Sequence, residues 1–292
     1  MTLPRQGLGG FTLIELVVAI VLAAIVASFI VLFLDAPVQS YFAQTRRSDL
    51  VDSANRIVDA VTADVRTALP NSIRVRPVGS RRGLELLATA GVARYYGQGD
   101  KNGGPGELPI CLATPCTSVT SFATLDTFDP QTAGAYLSVG NLGTPPTYDA
   151  YNPGNKVMTA AGVAITVGPN PGTQGENLVT SAPMVFRAPV APPAHNAYLV
   201  TGPVSYVCSP NPANPSAGTF SRYSGYAITA GQAVPPAGQS ALIAHNVSSC
   251  AISFLNAASG YPYGELAIVT VTLASSGETL EVFLEVPTEY DQ

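Results

Sequence analysis

The sequence predicts an α+β fold: one long N-terminal helix crosses a membrane, then packs on an antiparallel β-sheet domain that carries a large loop-rich β insertion. Three observations predict it. Residues 11–34 form an apolar run with a single charge. Residues 50–69 continue with apolar side chains at three- and four-residue steps. The C-terminal stretch is dense in β-branched residues around a glycine-containing loop.

The apolar run reads FTLIELVVAIVLAAIVASFIVLFL. As a helix rising ~1.5 Å per residue it is about 36 Å long, enough to span a hydrocarbon core of about 30 Å. Before it, residues 1–10 (MTLPRQGLGG) make a short polar leader with Arg5 and the terminal amine as its positive charges. Positive charge on that side keeps the leader in the cytoplasm and sends everything after Leu34 outward. A secretory signal peptide would need a small-residue cleavage site beyond the apolar run. The nearest, at Ala27-Ser28, would leave a greasy new terminus beginning at Ser28 and Phe29. A plain uncleaved anchor explains the length but not Glu15, since a carboxylate near the start of a membrane helix costs a few kcal/mol unless something pairs with it.

Those residues resemble a known family. Gly10-Phe11-Thr12-Leu13-Ile14-Glu15-Leu16 is similar to the recognition motif of type IV pilins and type II secretion pseudopilins. The resemblance implies that a membrane-embedded prepilin peptidase cleaves after Gly10 and N-methylates Phe11. The helix would then be kept as both anchor and filament core. It also implies a partner for Glu15: the freed amine of Phe11 in an adjacent subunit, which makes a buried carboxylate tolerable. The implied organisation is a leader at 1–10, a membrane helix at 11–34, its periplasmic continuation at 35–70, and a periplasmic β-rich domain at 71–292. The implied partners are the peptidase, other pilins or pseudopilins of a filament, and the inner membrane. Assembly would be into a pilus or pseudopilus.

Beyond the membrane, Leu50, Ala54, Ile57, Val58, Val61, Val65, Ala68 and Leu69 form one apolar stripe, with Asp49, Asp52, Arg56, Asp59, Asp64 and Arg66 on other faces. Pro37 predicts a kink or break near residues 35–39, and Pro70-Asn71 predicts the end of the helix. Strands are expected at 72–77, 84–88, 163–167, 184–187, 197–200 and 204–208. A C-terminal hairpin is expected from 266–273 and 279–286. Residues 97–160, rich in Gly, Pro, Thr and Tyr, read as the insertion, and the clusters at 169–172 and 210–215 read as turns.

The four cysteines, Cys111, Cys116, Cys208 and Cys250, follow an export segment and so read as disulfides of an oxidising compartment. A zinc site is the alternative, but only Cys111 and Cys116 have knuckle-like spacing. Four cysteines permit three connectivities. Cys111 and Cys116 bracket a short proline-containing turn, while Cys208 and Cys250 lie beside strand-like runs, which favours local pairing.

Nothing in the sequence points to catalysis or to a cofactor. It contains no Gly-x-Ser-x-Gly elbow, no His-Glu-x-x-His and no phosphate-cradling glycine loop. The two histidines, His195 and His245, have no nucleophile motif beside them. Asp100-Lys101-Asn102-Gly103-Gly104 resembles a calcium loop but lacks its ordered oxygen ligands and terminal glutamate, so it reads as an ordinary turn. A net charge of −5 with scattered basic residues excludes a nucleic-acid partner. An enzyme is therefore not expected.

Further blocks narrow the resemblance. Asp35-Ala36-Pro37-Val38-Gln39-Ser40-Tyr41, Arg46-Arg47-Ser48-Asp49-Leu50 and Ala68-Leu69-Pro70-Asn71-Ser72-Ile73-Arg74 are similar to O-type minor pilins of mannose-sensitive haemagglutinin (MSHA) pilus systems. So are Gly202-Pro203-Val204-Ser205-Tyr206-Val207-Cys208 and Asn246-Val247-Ser248-Ser249-Cys250. The resemblance implies a minor subunit that helps start or decorate a filament. The alternative is a pilus-carried adhesin, for which Tyr95, Tyr96, Tyr136, Tyr148 and Tyr151 would line an aromatic groove.

Overall fold

A computed structural model describes residues 12–102, 105–126, 136–144, 146–256 and 264–288. The expected cleavage site, Gly10 and Phe11, lies outside the described residues. The architecture is α+β: a single α-helix among the described residues, α1 (Leu13–Arg66, 54 residues), followed by antiparallel sheets. Contacts divide the chain into two compact units, residues 1–49 and residues 50–292.

In the first unit, α1 is continuous through Pro37, so the expected break does not form. Proline removes one helical hydrogen bond and crowds the carbonyl four residues before it, and the long helical runs on both sides carry the helix through it. The window Leu13–Ile30 has a mean hydropathy of 2.9 and is long and apolar enough to cross a membrane. Its side chains are exposed throughout, Leu13 by 81% and Phe29 by 68%.

In the second unit, the predicted stripe of α1 faces inward. Leu50, Ile57, Val61 and Val65 are buried, and Ala54 and Val58 pack beside them. The helix ends at Arg66, one turn before Pro70, and Ala68 pairs with Ala88 instead. The strands of this unit begin with β1 (Arg74–Val78), β2 (Arg81–Arg94), β3 (Val119–Thr124), β4 (Tyr136–Val139), β5 (Thr166–Pro169) and β6 (Asn177–Met184). They continue with β7 (Asn196–Ser209), β8 (Thr219–Ser224), β9 (Gln239–His245), β10 (Val247–Leu255), β11 (Leu266–Ser275) and β12 (Glu278–Pro287). One sheet runs β1-β2-β7-β8-β9 with β4 also on β7; the others run β10-β11-β12 and β3-β6-β5. The main core lies between α1 and the faces of the first two sheets, joining Val61 and Val65 to Leu84, Tyr206, Phe220, Val269 and Val271.

The long strands β2 and β7 explain how the insertion is held. Their outer halves contribute Leu84, Leu86, Val204 and Tyr206 to the main core. Their other halves contribute Ala93, Ala197 and Leu199 to a second core with Phe122, Leu137 and Val179. The insertion is therefore a continuation of the same ladder and extends past residue 160, to include β5 and β6. No strand covers 184–187: β6 ends at Met184, and Arg187 makes only an isolated bridge to Cys111. The expected C-terminal hairpin forms as β11 and β12, in register from Leu266↔Pro287 to Ser275↔Glu278.

Candidate assembly site

The first turn of α1 begins at a polar cap. Thr12 Oγ1 accepts the N–H of Glu15 at 3.4 Å, and the Thr12 carbonyl accepts the N–H of Leu16 at 3.1 Å. This is the Thr half of a capping box, a Thr-x-x-Glu spacing that was legible in the sequence but is easily masked by the apolar run around it. Glu15 thus stands on the N-terminal turn, where the helix dipole favours negative charge. It is exposed, surrounded on the helix by exposed aliphatic side chains.

The second unit carries its charges in clusters that tie its elements together. Asp64, on the last turns of α1, receives Arg222 Nε at 2.7 Å and Nη2 at 3.1 Å, a bidentate pair reaching from β8. Arg74 of β1 meets Glu85 of β2 at 3.1 Å, and its guanidinium lies 3.4 Å from the centre of the Tyr151 ring. Glu85 is 2% exposed. Its pKa is raised because burial outweighs both the Arg74 charge and its hydrogen bonds. Glu265 accepts the backbone N–H of Asn71 at 2.8 Å, satisfying a turn residue at φ 59° just past the helix. Burial pushes its carboxyl up to about 7, the Asn71 bond offsetting only part of the shift.

The insertion holds its own pairs. His195 Nδ1 and Asp100 Oδ2 are 3.1 Å apart, and the His195 ring stacks on Tyr95 at 5.2 Å. Asp100 also accepts the N–H of Gly97 at 2.7 Å, which makes the loop a self-closing turn. Lys101 Nζ lies 2.6 Å from Glu176 Oε2 and holds that carboxyl below the usual range. The five tyrosines do not line one groove: Tyr96 faces Lys101, whose Nζ lies 4.5 Å from the ring centre, and the other four pack into two cores. Tyr95 is buried in the second core, and Tyr151 in a third with Leu69 and Val157, where Tyr136 and Tyr148 pack beside it. An aromatic ring can be buried or displayed, and a loop-rich sequence does not reveal which way it turns.

The cysteines join in two local pairs. Cys111 binds Cys116, with Cα atoms 5.4 Å apart, and Cys208 binds Cys250 at 6.5 Å. The second pair links β7 to β10, and so the six-stranded sheet to the β10-β11-β12 sheet.

Residues 9–31 match the prokaryotic N-terminal methylation motif. The methylation motif, a type IV pilin-like signal, encloses Gly10, Phe11 and Glu15 and runs one residue beyond the exposed apolar window. No curated protein and no solved structure matches the chain. The motif thus marks the N-terminal part of α1, and the rest of the fold, a helix packed on antiparallel sheets, is consistent with a pilin-like domain.

Proposed function

We propose that the chain is a non-catalytic minor pilin or pseudopilin subunit. It is cut after Gly10 by prepilin peptidase, methylated on Phe11, and built into a type IV pilus or type II secretion pseudopilus that it helps to start or decorate. Its anchor spans the inner membrane once, with residues 71–292 in the periplasm. The observation that carries this reading is the methylation motif on a helix whose membrane-length apolar surface is exposed. Cleavage ahead of the apolar run, rather than behind it, retains that surface for contact with lipid and then with other subunits. The finer placement, among O-type minor pilins of MSHA systems, rests on the resemblance of the sequence blocks at 35–41, 46–50, 68–74, 202–208 and 246–250.

Glu15→Val tests the assembly step. Membrane insertion should persist or improve, because a charge leaves the apolar segment. Recovery in sheared filaments should fall, because the neighbour's Phe11 amine loses its counter-charge. Wild-type recovery of the variant would show that the pairing has no part in this subunit's assembly.

A further inference from the structure

Among the described residues, the outer edge of β12 has no strand beside it, and it is chemically marked. Among the described residues the strand pairs with β11 alone, so every second residue turns its N–H and C=O away from the sheet. Its inner face is fixed by the core: Val282 and Val286 are buried, with Leu280 and Leu284 packed beside them. Register slip is thereby prevented. Its outer face presents Glu281, Phe283 and Glu285, all exposed, Phe283 by 61%. Across the sheet they stand beside Thr272, Thr270 and Ile268 in turn, and beyond those Ser249, Ala251 and Ser253. Apart from Ile268 this is a surface of small residues, with one exposed aromatic flanked by two carboxylates.

That pattern selects its partner. Pairing β12 with the β12 of a second copy, with the two Phe283 rings opposite, sets carboxylate against carboxylate. Glu281 meets Glu285 when the strands are antiparallel, and each glutamate meets its own copy when they are parallel. Like charges directly opposite disfavour a ladder. A strand with Lys or Arg at alternate positions would instead neutralise both carboxylates. Its cation could also lie on the Phe283 face.

We infer that the free edge of β12 is a docking site for an extended, basic segment of a different chain, added as a fourth strand to the β10–β12 sheet. If the filament reading holds, a neighbouring subunit supplies that segment. The docking chemistry itself does not depend on processing at Gly10, so the two can fail separately.

The test uses the full chain in detergent micelles and two short peptides, one alternating lysine with valine and one alternating glutamate with valine. Amide hydrogen exchange is followed along β12. The lysine peptide should slow exchange of the outward-facing amides by roughly tenfold or more, and added salt should weaken the effect. The glutamate peptide should not protect them. The double variant Glu281→Lys with Glu285→Lys should reverse the preference. Unchanged protection of Val269 and Val271 on β11 would confirm that it still folds. Three results would overturn the inference: no protection by either peptide, equal protection by both, or protection that rises with protein concentration when no peptide is present. The last would make a second copy the occupant.

Discussion

The Tyr206 hydroxyl lies 2.5 Å from Asp64 Oδ2 and 2.7 Å from the carbonyl of Ala60, so a residue of β7 is hydrogen-bonded to the last turns of α1. The ring is fully buried and stacks on Phe220 at 5.7 Å. Burial, and then the Asp64 carboxylate, push the phenol far above its ordinary pKa, which keeps it a donor. Arg222 completes the group from β8. A helix whose stripe is aliphatic could slide along a β-sheet; this polar group fixes its position.

Tyr206→Phe tests that role. The ring and its packing remain while the hydroxyl is lost, leaving the Ala60 carbonyl and one Asp64 lone pair less well satisfied. A loss of about 1–2 kcal/mol is expected in urea denaturation of the full chain. Asp64→Asn should cost less than a fully buried pair would, because both Asp64 and Arg222 retain some solvent. A Tyr206→Phe variant as stable as wild type would mean that packing alone sets the helix.

Glu265 makes stability depend on pH. Its pKa rises from 4.5 to about 7 on folding, so between those values the folded state binds more protons than the unfolded one. Stability attributable to this group is therefore present below pH 4.5 and is lost as pH rises to 7, by about 3 kcal/mol at the limit. Glu265→Gln keeps an oxygen to accept the Asn71 N–H but removes the titration. Its stability relative to wild type should grow from pH 4.5 to about 7 and level off above that. Parallel pH profiles for the two proteins would refute this.

The two disulfides should contribute unequally. Cys208 and Cys250 are 42 residues apart, and Cys111 and Cys116 are 5 apart. On the chain-entropy model the longer loop contributes about 4 kcal/mol and the shorter about 2. Replacing Cys208 and Cys250 by alanine should therefore lower the yield of folded protein more than replacing Cys111 and Cys116. Non-reducing peptide mapping gives the direct check, where a Cys111–Cys208 or Cys116–Cys250 cross-link would contradict the pairing described.

Some of this was legible in sequence because it is periodic. The stripe from Leu50 to Leu69 has the helical repeat, and β11 and β12 alternate around Gly277. Strand β7 appears in sequence as two pieces because Gly202-Pro203 interrupts it, yet the ladder continues through Ala88↔Gly202 and Leu87↔Pro203. Strands β3, β6, β8 and β9 carry too much Ser, Thr and Ala to stand out, and they are made by their neighbours in the sheet. The polar clusters were out of reach for another reason. Asp64 and Arg222 are 158 positions apart, and Asn71 and Glu265 194, so only the tertiary fold introduces them. At the N-terminus the opposite holds: Gly10, Phe11 and Glu15 are read from local spacing.

On the proposed reading, the chain is processed ahead of its apolar helix. Intact-mass and N-terminal peptide mass spectrometry of the protein recovered from membranes tests it most directly. The mature chain should begin at Phe11 with an N-methyl group, and Gly10→Val should leave the leader attached, because a branched side chain does not fit where glycine is cut. A mature protein beginning at Met1 or at Ser28 would contradict it.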